Sequence, residues 1–92
     1  MKNKVLIKLV VPDLDETYDV FIPVNEVMWK IKAMFSKCIS DIEYIAPRND
    51  LDFIILNKIT GQIYDNNDII INTDIRNGTE LVLLTKQKQM SN

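Results

Sequence analysis

Polar and apolar residues alternate from the first strand-length stretch of the chain. In VLIKLVV, residues 5–11, the odd positions Val5, Ile7, Leu9 and Val11 are uniformly apolar, while the even positions Leu6, Lys8 and Val10 include a charge. Period two is the repeat of a β-strand, so the odd side is expected to face a core. PDLDET then joins Pro12 to three acidic residues and a threonine, a composition that turns the chain back. In YDVFIPV, Tyr18, Val20 and Ile22 fall on one side and Asp19, Phe21 and Pro23 on the other, which predicts a second strand forming a hairpin with the first. Pro23 has no N–H to give a ladder, so this strand lies at an edge or ends there.

At Asn25 the repeat changes. Asn is a favourable N-cap, Glu26 complements the positive end of a helix dipole, and Val27, Ile31, Met34, Phe35 and Cys38 recur at spacings of three and four. The spacing predicts one amphipathic helix over residues 26–38, with Lys30, Lys32, Ser36 and Lys37 on its solvent side. ISDIEYIAPRND, residues 39–50, lacks a sustained period and ends in Pro47 and polar residues; a crossing loop with one short turn is expected, its apolar members closing the bottom of the core.

LDFIILNKITGQIYDNN predicts a strand at residues 53–56, a glycine-containing loop, and a short returning strand at 62–64. If Asn57 pairs with Gln62, Leu56 and Ile63 share one face and Phe53, Ile55 and Tyr64 the other; a one-residue slip reverses the assignment. DIIINTDIRNG reads as an irregular or 3₁₀ connection that sends Ile70 and Ile75 into the core, with Asn77-Gly78 making the last turn. The closing strand, residues 79–84, points Leu81 and Leu83 inward and Val82 and Leu84 outward.

A chain of 92 residues buries only about two-thirds of its unfolded surface, which suits one undivided core. One domain over residues 1–85 with a polar tail at 86–92 is expected. With 11 basic and 13 acidic residues scattered along the sequence, a net charge of -2 provides no clustered cations for a phosphate backbone, so nucleic acid is not an expected partner. No run approaches the roughly 18 apolar residues that span a bilayer, so no direct membrane insertion is expected. A lone cysteine, Cys38, excludes an internal disulfide and fits a reducing, cytoplasmic address.

The chain contains no histidine, which removes the commonest general base and every Ser-His-Asp or Cys-His arrangement. No catalytic residue, cofactor site or metal site is expected. Cys38 among Ile31, Met34 and Phe35 reads as a small buried hydrophobe rather than a nucleophile. Asp65, Asp68 and Asp74 suggest calcium, but Ile69 and Ile70 occupy positions where a calcium-binding loop needs an oxygen ligand and a sharp-turn glycine. They read as a solvated loop, as do Asp13, Asp15 and Glu16 in the first hairpin. Asn77-Gly78-Thr79 is formally a glycosylation sequon and is expected to serve as a turn. Trp29 is expected to pack at the edge of the core, with an exposed interface anchor as the alternative.

A hairpin, one helix, a crossing loop, a second hairpin-like pair and the closing stretch TDIRNGTELVLL follow the order of the ubiquitin-like β-grasp proteins, and residues 5–84 resemble that family. The resemblance implies an α+β fold, a mixed β-sheet of four to five strands wrapped around one α-helix, with the first and last strands parallel at its centre. Conjugated relatives end in Gly-Gly; here the two glycines, Gly61 and Gly78, are separated and lie in turn sequences, so conjugation by that route is not expected. IPVNEVMWKIKAMF resembles the helix opening of the small bacterial YukD-type proteins associated with type VII (WXG100) secretion. That likeness implies a cytoplasmic, non-enzymatic accessory or regulatory protein acting on a protein partner, such as a membrane-associated secretion component. The alternative is a ubiquitin-like modifier or another intracellular adaptor.

The expected working surface is the outer face of the sheet. A solvated face should be mainly polar, whereas here it presents Leu6, Val10, Val82 and Leu84, with Phe53 and Ile55 beside them and Lys8 as the relieving charge. Each apolar member buried against a partner contributes on the order of 1.5–3 kcal/mol. A protein partner, or a homodimer through this face, is the expected occupant.

Overall fold

The computed structural model describes residues 3–43 and 52–86. Strand β1, Lys4–Val11, leads through a 3₁₀ turn at Pro12–Leu14 into β2, Glu16–Pro23. Pro12 opens that turn and Asp15 closes it in the left-handed region at φ 54, where its N–H donates to the Pro12 carbonyl at 3.0 Å. The two strands pair antiparallel from Lys4–Pro23 to Val11–Glu16. Helix α1 runs Met28–Glu43, followed by β3 at Asp52–Asn57, a second 3₁₀ turn at Ile70–Asn72 and β4 at Glu80–Lys86.

The sheet order is β2-β1-β4-β3. β4 lies parallel to β1 and antiparallel to β3, so the first and last strands occupy the centre. Helix α1 covers one face. Ile7, Leu9 and Val11 of β1, Ile22 of β2, Ile55 of β3 and Leu81 and Leu83 of β4 all point toward it and are buried with Met28, Ile31 and Phe35 of the helix. Tyr64, Ile70 and Ile75 complete the core from the connection between β3 and β4. Burial on this scale, rather than local propensity, is what holds a single helix of this length in place.

The helix differs from its expected form at both ends. Asn25 is not the N-cap, because residues 24–26 form a turn and Met28 is the first helical residue. The orphan N–H groups are instead satisfied across the fold: Met28 N–H donates to the Asp68 carbonyl at 2.8 Å and Trp29 N–H to the Asn66 carbonyl at 3.0 Å. Val27 forms an isolated antiparallel bridge with Ile69. The helix also continues past residue 38 to Glu43, since nothing between Ile39 and Glu43 breaks it. The expected loop at 44–50 lies outside the described residues.

The buried stripe also differs in phase from the expected one, with Met28 rather than Val27 at its start. Met28, Ile31, Phe35 and Ile39 recur at three, four and four, which at about 100° per residue keeps them on one side. Cys38 falls on the flank and is exposed, correcting its assignment to the core. Ser40 is nearly buried at 9% exposure and satisfies its hydroxyl by donating to the Lys37 carbonyl at 3.1 Å. The expected returning strand at 62–64 contracts to a single bridge, Leu56 to Ile63, so the sheet has four strands among the described residues. β4 extends to Lys86, and the remainder of the expected tail lies outside the described residues.

Candidate protein-binding face

The face of the sheet away from α1 is assembled by register. Val10 of β1 stands beside Val82 of β4, which stands beside Leu56 of β3, and Leu56 bridges to Ile63. Leu84 pairs with Ile54 one step further along. On the other side of the hairpin Leu6 pairs with Phe21. Leu6 is 38% exposed, Phe21 63% and Ile63 61%, while Val10, Ile54, Leu56, Val82 and Leu84 are half-buried by their own neighbours. Ile59, in the turn after β3, is also exposed.

Between these two apolar groups runs a row of charges. Lys8 pairs with Asp19 on one side and with Glu80 on the other, and the Lys58 N–H donates to the Glu80 carbonyl at 2.9 Å. Lys8 Nζ lies 3.3 Å from Asp19 and Lys58 Nζ 3.3 Å from Glu80. Exposed pairs of this kind contribute only about 0–1 kcal/mol each, so they order the face more than they stabilise it.

Of the expected site residues, Leu6, Lys8, Val10, Val82 and Leu84 lie together on this outer face. Phe53 and Ile55 do not. Ile55 is fully buried under the helix and Phe53 packs against the core, so their place outside is taken by Ile54 and Leu56. The reversal follows from Asn57. Its buried side chain accepts hydrogen bonds from the Ile59 and Thr60 N–H groups at 2.9 and 3.1 Å and donates from Nδ2 to Tyr64 Oη at 3.2 Å. An inward Asn57 puts Ile55 and Phe53 on the same inward side, because alternate residues share a face. The Asn57–Gln62 pairing itself is as expected, with the Asn57 N–H donating to the Gln62 carbonyl at 2.9 Å. Phe21 was legible from its alternation with Tyr18, Val20 and Ile22, yet it was not grouped with the other outer residues.

The remaining candidates are structural. Tyr64 Oη donates to Asp74 Oδ1 at 2.6 Å; burial and this hydrogen bond together push its pKa up to about 12. Asp68 Oδ2 accepts from the Asp65 N–H at 2.9 Å, and no group of three potential metal ligands exists among the described residues. Asn77 Oδ1 accepts from the Leu6 N–H at 2.8 Å, the Gly78 N–H donates to the Leu6 carbonyl at 2.8 Å, and Thr79 Oγ1 accepts from the Arg76 N–H at 2.8 Å; the sequon is the turn that locks β4 beside β1. Trp29 is 51% exposed rather than packed at the core edge, with Lys30 Nζ 5.5 Å from its ring centroid.

A four-stranded mixed sheet with parallel first and last strands at its centre, gripping one helix, decides the architecture. The fold is the ubiquitin-like β-grasp. Solved ubiquitin-like structures superpose on it over most of its length. The EccD5 ubiquitin-like domain from Mycobacterium xenopi matches at 11% identity with a TM-score of 0.73, covering 94% of this chain and 98% of that one. A chain of the MycP5-free ESX-5 inner membrane complex matches at 11% identity and TM-score 0.72, covering 98% of this chain; this chain spans only 23% of that one's length. A chain of the toluene 4-monooxygenase HD complex with the inhibitor 4-bromobenzoate matches at 8% identity and TM-score 0.74, covering 90% and 99%. No family model and no curated protein matches this sequence.

Proposed function

We propose that this ubiquitin-like chain is a non-conjugated protein-binding module, a cytoplasmic accessory or regulatory component of a bacterial type VII (WXG100) secretion system, of the YukD type. It works by protein contact through the outer face of its sheet. The observation that carries the binding part is that face itself: eight apolar side chains, Leu6, Val10, Phe21, Ile54, Leu56, Ile63, Val82 and Leu84, share it while the helix fully occupies the other. Support for the secretion setting comes from the fold shared with EccD5 and with a chain of the ESX-5 inner membrane complex, together with the YukD-like stretch IPVNEVMWKIKAMF.

Both glycines are committed to turns, Gly61 at φ 78 and Gly78 at φ 88, which favours contact over covalent transfer. No helix among the described residues is long and apolar enough to cross a membrane, so in this reading membrane association comes through the partner.

Leu6→Asp combined with Val82→Asp tests the face. The variant keeps its far-ultraviolet circular dichroism and loses capture of its protein partner from cells, whereas Leu83→Asp unfolds by burying an unpaired charge. Capture retained by the folded double variant refutes the face. A ladder of heavier covalent species bearing this chain, seen by intact-mass spectrometry, refutes the non-conjugated reading.

A further inference from the structure

The outer face carries more order than an apolar patch requires. Across the sheet, Asp19, Lys8, Glu80 and Lys58 stand in one row on β2, β1, β4 and the residue after β3, so the signs run minus, plus, minus, plus. Both lysine side chains remain 52% exposed, leaving room for a second anion on each.

A row of even length and alternating sign is its own complement when reversed. Consider a two-fold axis in the plane of contact, parallel to the strands and midway between β1 and β4. It turns a second copy face to face with the first, reverses the row and preserves the strand direction. Asp19 then meets Lys58 of the second copy and Lys8 meets its Glu80, and symmetry makes each contact occur twice. The same operation sets Val10 against Val82 and Leu56 against Thr17. A two-fold axis along the row would instead stack like charge on like charge. Of these two axes, only the first sets opposite charges against each other, and it brings Val10 against Val82.

We propose that the occupant of the outer sheet face is a second copy of this chain, paired about that axis. The inference rests on the reading of this face as the contact surface and names what covers it. Four strands about 4.8 Å apart and some seven residues long give a face near 19 by 23 Å, below the roughly 800 Å² per partner of a standard interface. A contact of this size falls among weak, transient associations, so the dimer is sought at high protein concentration.

Sedimentation equilibrium of the full chain up to about 1 mM reads this directly. Asp19→Lys and Lys58→Glu each set like charges opposite one another twice, and each alone weakens the dimer by about tenfold or more. An equimolar mixture of the two variants regains the wild-type association, because the replaced positions then face each other with opposite signs. Neither substitution touches the core, so loss of association is not loss of fold. A wild type that stays monomeric over the whole range overturns the proposal, as does a mixture that associates no better than either variant alone. If a monomeric wild type still captures a different protein and Leu6→Asp with Val82→Asp abolishes that capture, the face stands and only the second copy falls. A dimer that survives the double substitution overturns the second copy as the occupant of this face.

Discussion

Replacing Ile55 and Leu56 separately by alanine tests the facing of β3, on which the composition of the outer surface depends. Ile55 is 0% exposed among the core residues, while its neighbour Leu56 points away from the helix beside Val82 and Ile63. Removing three buried carbons from Ile55 forfeits about 2.4 kcal/mol of transfer free energy at about 0.8 kcal/mol each, and the cavity left behind raises the loss toward 3–4 kcal/mol. A domain of this size is stable by roughly 5–10 kcal/mol, so Ile55→Ala removes a third or more of the total. With a urea m-value of about 1–1.5 kcal/mol/M, the midpoint of unfolding falls by about 2–4 M. Leu56→Ala removes the same number of carbons from a half-exposed site and costs about 1 kcal/mol, a midpoint shift below about 1 M. Urea titrations followed by circular dichroism give both numbers. Equal losses, or a greater loss at Leu56, refute the inward placement of Ile55 and restore Phe53 and Ile55 to the outer face.

Tyr64 holds its proton up to about pH 12 in the folded chain against 10 when unfolded, so its contribution to stability is complete below pH 10 and is lost as pH rises through 12. Tyr64→Phe abolishes that alkaline dependence and costs about 1–2 kcal/mol at neutral pH by stripping Asn57 and Asp74 of a partner; unchanged alkaline denaturation in the variant refutes the assignment. Gly78→Ala forces a side chain into φ 88 and lowers stability by about 1 kcal/mol or more, although a Cβ there meets nothing within 4 Å; a neutral result in thermal unfolding shows that the turn relaxes freely. Cys38 is exposed, so a thiol reagent labels it in the native protein without denaturant; protection until unfolding returns Cys38 to the core.

Much of this architecture is written in short-range patterns. The alternation of Val5, Ile7, Leu9 and Val11 specified the inner side of β1, and Leu81 and Leu83 did the same for β4, because a strand buried on one face cannot slip by one residue without exposing its core. Asn77-Gly78 announced its turn, and Ile70 and Ile75 reached the core as expected, while their neighbours Ile69 and Ile71 stayed exposed.

Tertiary structure decided what local pattern leaves open. The sequence FIIL is apolar at four consecutive positions, so alternation gives no sign of which side is inner; Asn57 settles it only because its side chain closes a turn that Tyr64 completes from across the loop. The helix begins at Met28 rather than after Asn25 because the carbonyls of Asn66 and Asp68, nearly forty residues away, supply the caps. The charge row likewise belongs to no segment: Asp19, Lys8, Glu80 and Lys58 sit on three strands and a turn and become neighbours only when β4 inserts beside β1. The sequence by itself determined which residues can be buried, because hydrophobicity and period are local properties. Which exposed residues stand together was decided by strand pairing, because a contact between distant segments exists only once the chain has closed on itself.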